Sequence, residues 1–130
     1  YSYLFGWEPR GVVLHQVKYP SVQEVIATAK AAGAVLVFAH PTVYKSMPLV
    51  RQLAKEGVID GIEVEHPRNS PEDKAECAAL CEQYGLIHTG GTDFHGANHK
   101  HTHPVGTCVT ADDQVARILE LAHQRRDISV

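Results

Sequence analysis

Residues 34–39 read AVLVFA and are followed directly by a His-Pro pair at 40–41. A continuous apolar run of this length is typical of a strand that is buried on both faces of a parallel sheet. Upstream of the run, Ser21 and Glu24 have the spacing of a capping box. Apolar residues then recur at helical spacing, so the sequence predicts a helix over 22–32 that leads into this strand.

The same order of elements recurs towards the C-terminus. Pro48 and the pair Ser70-Pro71 are typical helix starts, and glycines follow the last residues of both predicted helices. Regular alternation of strand and helix favours right-handed βα units and a parallel sheet, which places the chain in the α/β class. The predicted strands are 58–64 and 86–89, with a short extended segment at 105–109, and the predicted helices are 48–56, 71–84 and 112–126.

Length and composition limit what the chain can be. Its 130 residues suit one domain or part of one, and are about half of a complete (β/α) barrel of roughly 250 residues. A formal net charge of −3 gives no electrostatic footprint for duplex DNA or an anionic membrane. No apolar run approaches the roughly 18 residues of a membrane-spanning helix. The N-terminus has neither a basic leader nor an initiator Met, so we expect the cut edge of a longer, cytoplasmic chain and not a signal peptide.

The three cysteines form no CxxC pair. Cys77 and Cys81 are four residues apart, and Cys108 is distant in sequence. In a reducing cytosol, such cysteines are expected to be small buried apolar residues.

Potential metal ligands follow each of the three predicted strands. In parallel α/β folds the carboxyl ends of the strands meet at one edge of the sheet, where functional groups gather. A residue before proline is held extended, so two of the histidines are expected to be fixed at strand ends. The residues at these ends are His40, then Glu63, Glu65 and His66, then Asp93 and His95.

Asp93 and His95 are separated by one residue, so in an extended segment their side chains share a face. They could bind one metal ion or two adjacent ions, and mixed imidazole and carboxylate ligands suit Zn²⁺, Mn²⁺ or Fe²⁺. Taken alone, His40 would more often be structural, and the two glutamates could be solvated. Agreement among three strand ends predicts a shared metal-binding edge. The histidine-rich loop at 99–103 reads as a solvated flap, or else as a segment that contacts substrate or metal.

Three sequence blocks resemble those of the PHP superfamily, which is named for polymerase and histidinol phosphatase domains. They are GAVLVFAHP at 33–41, DGIEVEHP at 60–67 and GLIHTGGTDFHG at 85–96. The resemblance covers about residues 21–110. It implies a distorted (β/α)7 barrel of the TIM-like type with a site for two or three metal ions, and hydrolysis of phosphomonoesters or phosphodiesters. On this reading, residues 1–130 are a single partial domain, the C-terminal half of the barrel.

The resemblance also implies residue roles. His40, Asp93 and His95 match metal ligands of the family, and His66 matches a histidine that is a candidate for substrate or phosphate contact. Phosphatase members often carry an arginine three residues after the first of these histidines, where this chain has Val43. Lys45 lies nearby and could meet a phosphate as a point charge. The N-terminal His-x-His strand of the family has no counterpart in the first 32 residues.

The leading hypothesis is a metal-dependent phosphoesterase that is complete only with its N-terminal half. This chain alone is then expected to be inactive or nearly so. The implied cofactors are two or three Mn, Zn or Fe ions, and the implied partners are the N-terminal half and a small phosphorylated substrate or nucleotide. Unpaired strand edges would also favour association into a homo-oligomer. The alternatives are a non-catalytic PHP-like interaction or structural domain, and a metal-dependent amidohydrolase.

Overall fold

The structure, a computed structural model, describes residues 2–7, 10–13, 17–98 and 103–127. Within these ranges, three parallel strands form a sheet that is flanked by helices, which confirms the α/β class. None of these helices is long and apolar enough to cross a membrane. In chain order the elements are α1 (Ser2–Phe5), α2 (Val22–Ala31), β1 (Val37–Phe38), α3 (Met47–Lys55), β2 (Gly61–Glu65), α4 (Pro71–Tyr84), β3 (Ile87–Gly90) and α5 (Asp112–Asp127).

The predicted helix starts are confirmed by their capping contacts. Ser21 and Glu24 form the reciprocal capping box of α2. At α4, the Ser70 hydroxyl accepts a hydrogen bond of 3.1 Å from the backbone N–H of Asp73, and Pro71 opens the helix. The helix ends at Gly85, whose φ of +65° is left-handed and strains any residue with a Cβ.

The strands lie in the order β1-β2-β3, and both pairings are parallel. Val37 is in register with Gly61, and Gly61 is in register with Ile87. The carboxyl ends of the three strands therefore face the same edge of the sheet, as the sequence predicts.

The apolar core lies between β2 and the helices α3 and α4. Ile62 and Val64 of the central strand are almost completely buried. Cys77 and Cys81 also lie in this core as free thiols, and burial raises their pKa values to about 12 and about 11. These two cysteines are therefore unreactive packing residues at neutral pH, as predicted. The core comprises Met47, Val50, Leu53, Ala54, Ile59, Ile62, Val64, Cys77, Cys81 and Leu86.

Two expectations about the strands are wrong. The apolar run at 34–39 forms only a two-residue strand, and Val37 is 37% exposed. Burial on both faces was expected, but β1 is the edge strand and β2 alone pairs with it among the described residues. Residues 105–109 contain turns and bends and no strand, because their backbone bonds to the Thr92 side chain instead of to a strand.

Candidate functional site

The carboxyl edge of the sheet brings four predicted site residues together. The rings of His40 and His66 have centroids 5.4 Å apart. The Asp93 carboxylate lies between two imidazoles, with Oδ2 3.6 Å from His66 Nε2 and Oδ1 3.6 Å from His95 Nδ1. Residues from the ends of β1, β2 and β3 thus form one cluster of imidazole and carboxylate groups.

His40 is held in an unusual conformation at the end of β1. Its φ is +29°, in a region that residues with a Cβ seldom adopt, so the extended conformation expected for this residue before proline is wrong. The backbone N–H of His40 donates a hydrogen bond of 2.7 Å to Glu63 Oε2, which ties the end of β1 to β2. The ring nitrogen Nδ1 is buried and has no hydrogen-bond partner among the described residues. Strained backbone of this kind concentrates at functional sites.

Asp93 shares this strain, with a φ of +55°, so the extended segment expected for Asp93 and His95 does not form. The loop before it is fixed by close backbone approach, since a Cβ on Gly90 would lie only 2.5 Å from the carbonyl oxygen of Val109. The buried Thr92 hydroxyl donates to the carbonyl of Cys108 over 3.1 Å. The segment predicted as a strand at 105–109 therefore braces the loop that carries Asp93.

His66 is only 1% exposed, and its hydrogen bonds identify its tautomer. The backbone N–H of Arg68 donates to His66 Nδ1 over 3.2 Å, so the ring proton of the neutral form is on Nε2. That nitrogen is buried without a hydrogen-bond partner among the described residues. Burial lowers the pKa of His66, against the opposing charges of Glu63 and Asp93. His66 is thus a neutral imidazole that presents an N–H group.

His95 has the opposite tautomer. Its Nδ1 lies 2.7 Å from the backbone carbonyl oxygen of Asp93, and a carbonyl oxygen can only accept. Nδ1 of His95 therefore carries a proton. A histidine whose Nδ1–H is bonded to a carbonyl is oriented in the way that metal-binding histidines usually are. The two histidines on either side of Asp93 differ in what they can do: His66 donates, and His95 can ligate.

A cavity of about 200 Å³ opens onto this cluster. Its lining includes Arg68, which the sequence analysis did not single out, and Val43, the position at which family phosphatases often carry arginine. Lys45 is exposed and is not among the lining residues. The signal that could have found Arg68 is its place two residues after His66, in the turn that follows β2. The lining residues are His40, Val43, Tyr44, Arg68, Asp93 and His95.

The predicted metal ligands are neighbours, but they do not form a complete metal site by themselves. Over residues 2–7, 10–13, 17–98 and 103–127, no group of three or more His, Cys, Asp or Glu side chains is arranged to hold a metal ion. Glu65 points to other partners, with Lys74 Nζ 3.1 Å and His88 Nε2 3.9 Å from its carboxylate. Most of the histidine-rich loop, residues 99–102, lies outside the described residues.

Comparison with known proteins gives two relatives, and no family model matches the chain. Phosphoribosyl 1,2-cyclic phosphate 1,2-diphosphodiesterase from Eggerthella lenta is 34% identical over 86 residues, which are 66% of this chain and 32% of that protein. A crystal structure from Bifidobacterium adolescentis, named for a metal-dependent phosphoesterase, is 30% identical with a TM-score of 0.71. The match covers 92% of this chain and 43% of the chain in that crystal structure.

The chain thus spans about a third of the curated relative and less than half of the structural one. Both relatives carry names of phosphate-ester hydrolases. The resemblance to PHP-type phosphoesterases that the three sequence blocks predict is confirmed.

Proposed function

We propose that this chain is part of a metal-dependent phosphoesterase that hydrolyses a phosphomonoester or a phosphodiester. The observation that carries the proposal is the cluster of His40, Asp93 and His95 around one cavity that also contains Arg68. Metal-binding and anion-binding chemistry therefore face the same space. The names of both relatives support the same reaction class, and the activity of the whole protein is proposed from them.

We propose further that residues 1–130 are one partial domain, the C-terminal half of a distorted (β/α)7 barrel. The parallel order β1-β2-β3 with intervening helices agrees with this architecture. Beside the open edge of β1 lies an apolar cavity of about 560 Å³, whose walls include Val25, Phe38 and Leu49. A strand and helix from the N-terminal half would cover it, and a second copy of the chain is the alternative occupant.

The proposed metal ligands are His40, Asp93 and His95. Their donor set fits Mn²⁺, Zn²⁺ or Fe²⁺. The Nδ1 of His40 is buried and has no partner among the described residues, so it suits an atom that binds a metal ion or donates a hydrogen bond only in the assembled site. Further ligands from the N-terminal half would complete the two or three metal positions. When bound, such ions lower the pKa of a water ligand and neutralise charge on the phosphate.

The other residues would bind and orient the substrate, a small phosphorylated molecule or nucleotide. His66 would donate its Nε2–H to a phosphate oxygen, which its tautomer favours. Lys45, which is exposed and follows the cavity residue Tyr44 in sequence, would add a positive charge for the substrate. Glu63 would keep His40 in place through its bond to the His40 backbone.

The test uses the complete protein, including its N-terminal half, with Mn²⁺ and an aryl phosphate. Asp93→Asn should lower kcat by about 10²-fold or more, because the carboxylate ligand becomes a neutral amide. Asparagine tolerates a positive φ, so the variant should remain folded, as thermal unfolding can verify. Full activity in Asp93→Asn would refute the ligand assignment, and robust activity of the 130-residue chain alone would refute the half-site.

A non-catalytic PHP-like domain is the second candidate. The absence of a three-ligand group among the described residues favours it. It predicts a complete protein that purifies without bound metal and hydrolyses no phosphate ester. Elemental analysis of the complete protein distinguishes the two, since the phosphoesterase should contain two or three divalent ions per chain.

A further inference from the structure

We propose that the hydroxyl groups of Thr92 and Thr110 form a latch that positions Asp93 for metal binding. The two threonines come from opposite sides of one contact. Thr92 lies in the loop after β3, and Thr110 lies in the segment that leads into α5. The inference rests on the proposed function, and it adds two positioning residues that act on the metal site through Asp93.

The Thr92 side chain forms as many hydrogen bonds as a hydroxyl group can form. It donates to the backbone carbonyl of Cys108 over 3.1 Å. The same oxygen accepts from the backbone N–H groups of Gly106 and Cys108, over 3.1 and 3.4 Å. Because a hydroxyl has one proton and two lone pairs, these three bonds fix its orientation. Thr92 is 9% exposed, so water has little access to compete for these partners.

Thr110 makes the reciprocal contact from the segment before α5. Its hydroxyl accepts from the backbone N–H of Gly90 and donates to the backbone carbonyl of the same residue, both over 2.9 Å. A strand residue would use these two groups to pair with a neighbouring strand. Residues 105–109 form no strand, so the two threonine side chains connect the end of β3 to this segment in place of a backbone ladder.

Thr92 is the last buried residue before the stretch that carries two of the proposed metal ligands. None of residues 93–98 is buried, and the His95 side chain is 56% exposed. The carboxylate of Asp93 lies 3.6 Å from the rings of His66 and His95, which is too long for a hydrogen bond. The position of Asp93 is therefore set mainly by the backbone before it, which the latch holds.

The conformation of Asp93 needs this support. Its φ of +55° is one that residues with a Cβ seldom adopt, and such strain persists only where the surrounding structure enforces it. A functional side chain has to be held within about 0.5 Å of its productive position. Without the latch, the stretch at 93–98 would have more conformations to lose, so a metal ion would bind more weakly.

The test measures Mn²⁺ binding to the complete protein by calorimetry, which does not depend on turnover. Thr92→Val keeps the shape of the side chain and removes the hydroxyl. It should weaken Mn²⁺ binding by about tenfold or more, as is usual for residues that orient metal ligands. Thr92→Ser keeps the hydroxyl and should retain most of the affinity. The matched control is Thr107→Val, which changes an exposed threonine of the same segment and should leave binding unchanged.

Thr110→Val tests the other half of the latch and leaves the buried Thr92 in place. It should weaken Mn²⁺ binding in the same way, and Thr110→Ser should retain most of the affinity. Thermal unfolding verifies that each variant is folded, and if Thr92→Val is not, the two Thr110 variants decide. A purely structural role predicts a lower melting temperature with an unchanged Mn²⁺ affinity of the folded protein. That result in the valine variants would overturn the latch.

Asp93→Asn in the same titration separates this inference from the proposed function. The expected result is weak Mn²⁺ binding in Asp93→Asn and in both valine variants. Weak binding in Asp93→Asn alone would overturn the latch and leave the phosphoesterase assignment intact. Full affinity in Asp93→Asn would overturn both, because Asp93 would then not be a ligand that needs positioning.

Discussion

The central strand β2 is more buried than the edge strand β1, although β1 lies in the more apolar stretch of sequence. The run that contains β1, AVLVFA, is apolar throughout, whereas β2 reads GIEVE and includes two acids. Nevertheless Ile62 and Val64 of β2 are 0% and 1% exposed, and Val37 of β1 is 37% exposed. The neighbours of a strand decide its burial, and its own residues only permit it.

The neighbours of the two strands explain the difference. β2 pairs with a strand on each side and packs against α4, which contributes two buried cysteines. β1 has β2 on one side, and the helix before it, α2, contains no buried residue. The apolar surface of β1 instead lines the open cavity of about 560 Å³.

The sharpest way to break this comparison is to shorten one apolar side chain in each strand. Ile62→Ala should lower the free energy of unfolding by about 2–5 kcal/mol, because it leaves a cavity in a closed core. Val37→Ala should cost less than about 1 kcal/mol, since the side chain is already partly solvated. Urea unfolding of both variants of the 130-residue chain measures the difference. Equal losses would mean that β1 is as buried in solution as β2.

A smaller change in the free energy of unfolding is expected from the polar contacts near the edge strand β1. Arg125 of α5 forms a two-bond ion pair with Asp60, at 2.8 and 2.6 Å, and also donates to the carbonyl of Ala34. Asp60 Oδ2 accepts a hydrogen bond of 2.7 Å from the backbone N–H of Leu36. One carboxylate thus connects the approach to β1, the start of β2 and the last helix.

Asp60→Asn should therefore lower the free energy of unfolding by about 1–3 kcal/mol, the usual range for lost hydrogen bonds to charged groups. The matched control is Glu82→Gln, which removes the same charge from an exposed position on α4 and should change stability by less than about 0.5 kcal/mol. If the two substitutions lower the free energy of unfolding in urea by the same amount, the ion pair between Arg125 and Asp60 does not stabilise the region around β1.

The same contrast shows what can be predicted from the sequence. Local rules gave the helices, because Ser21, Ser70 and Pro71 act on backbone groups within one turn of themselves. The order of βα units also gave the meeting of His40, His66 and Asp93 at one edge of the sheet. These predictions depend on short-range geometry or on topology, both of which a sequence pattern encodes directly.

The rest depends on neighbours that a pattern does not specify. Whether β1 is an edge strand depends on whether a second strand pairs with it. Arg68 reaches the cavity only through the conformation of one turn, and the tautomers of His66 and His95 depend on single hydrogen bonds to backbone groups. The braces on the Asp93 loop come from residues some 15 positions further along the chain.

The smallest predicted change in the free energy of unfolding concerns His66, the buried histidine at the end of the central strand. A change of pH alters the protonation of this side chain but does not remove the side chain. Burial lowers the pKa of His66 below the value of about 6.5 that an unfolded chain shows. Between these two pKa values the unfolded chain binds a proton that the folded chain does not. Stability should therefore be complete above about pH 6.5 and should fall as the pH drops towards the folded pKa of His66.

Urea unfolding at a series of pH values between about 5 and 8 measures this slope, with His66→Gln as the reference because glutamine does not titrate in that range. The unaltered chain should lose more stability as the pH falls than His66→Gln does. Only the unaltered chain has a side chain at the end of β2 that takes up a proton on unfolding. A steeper loss in the variant, or equal slopes, would mean that solvent reaches His66 in the folded chain. The carboxyl end of β2 would then be as accessible to solvent as β1 is.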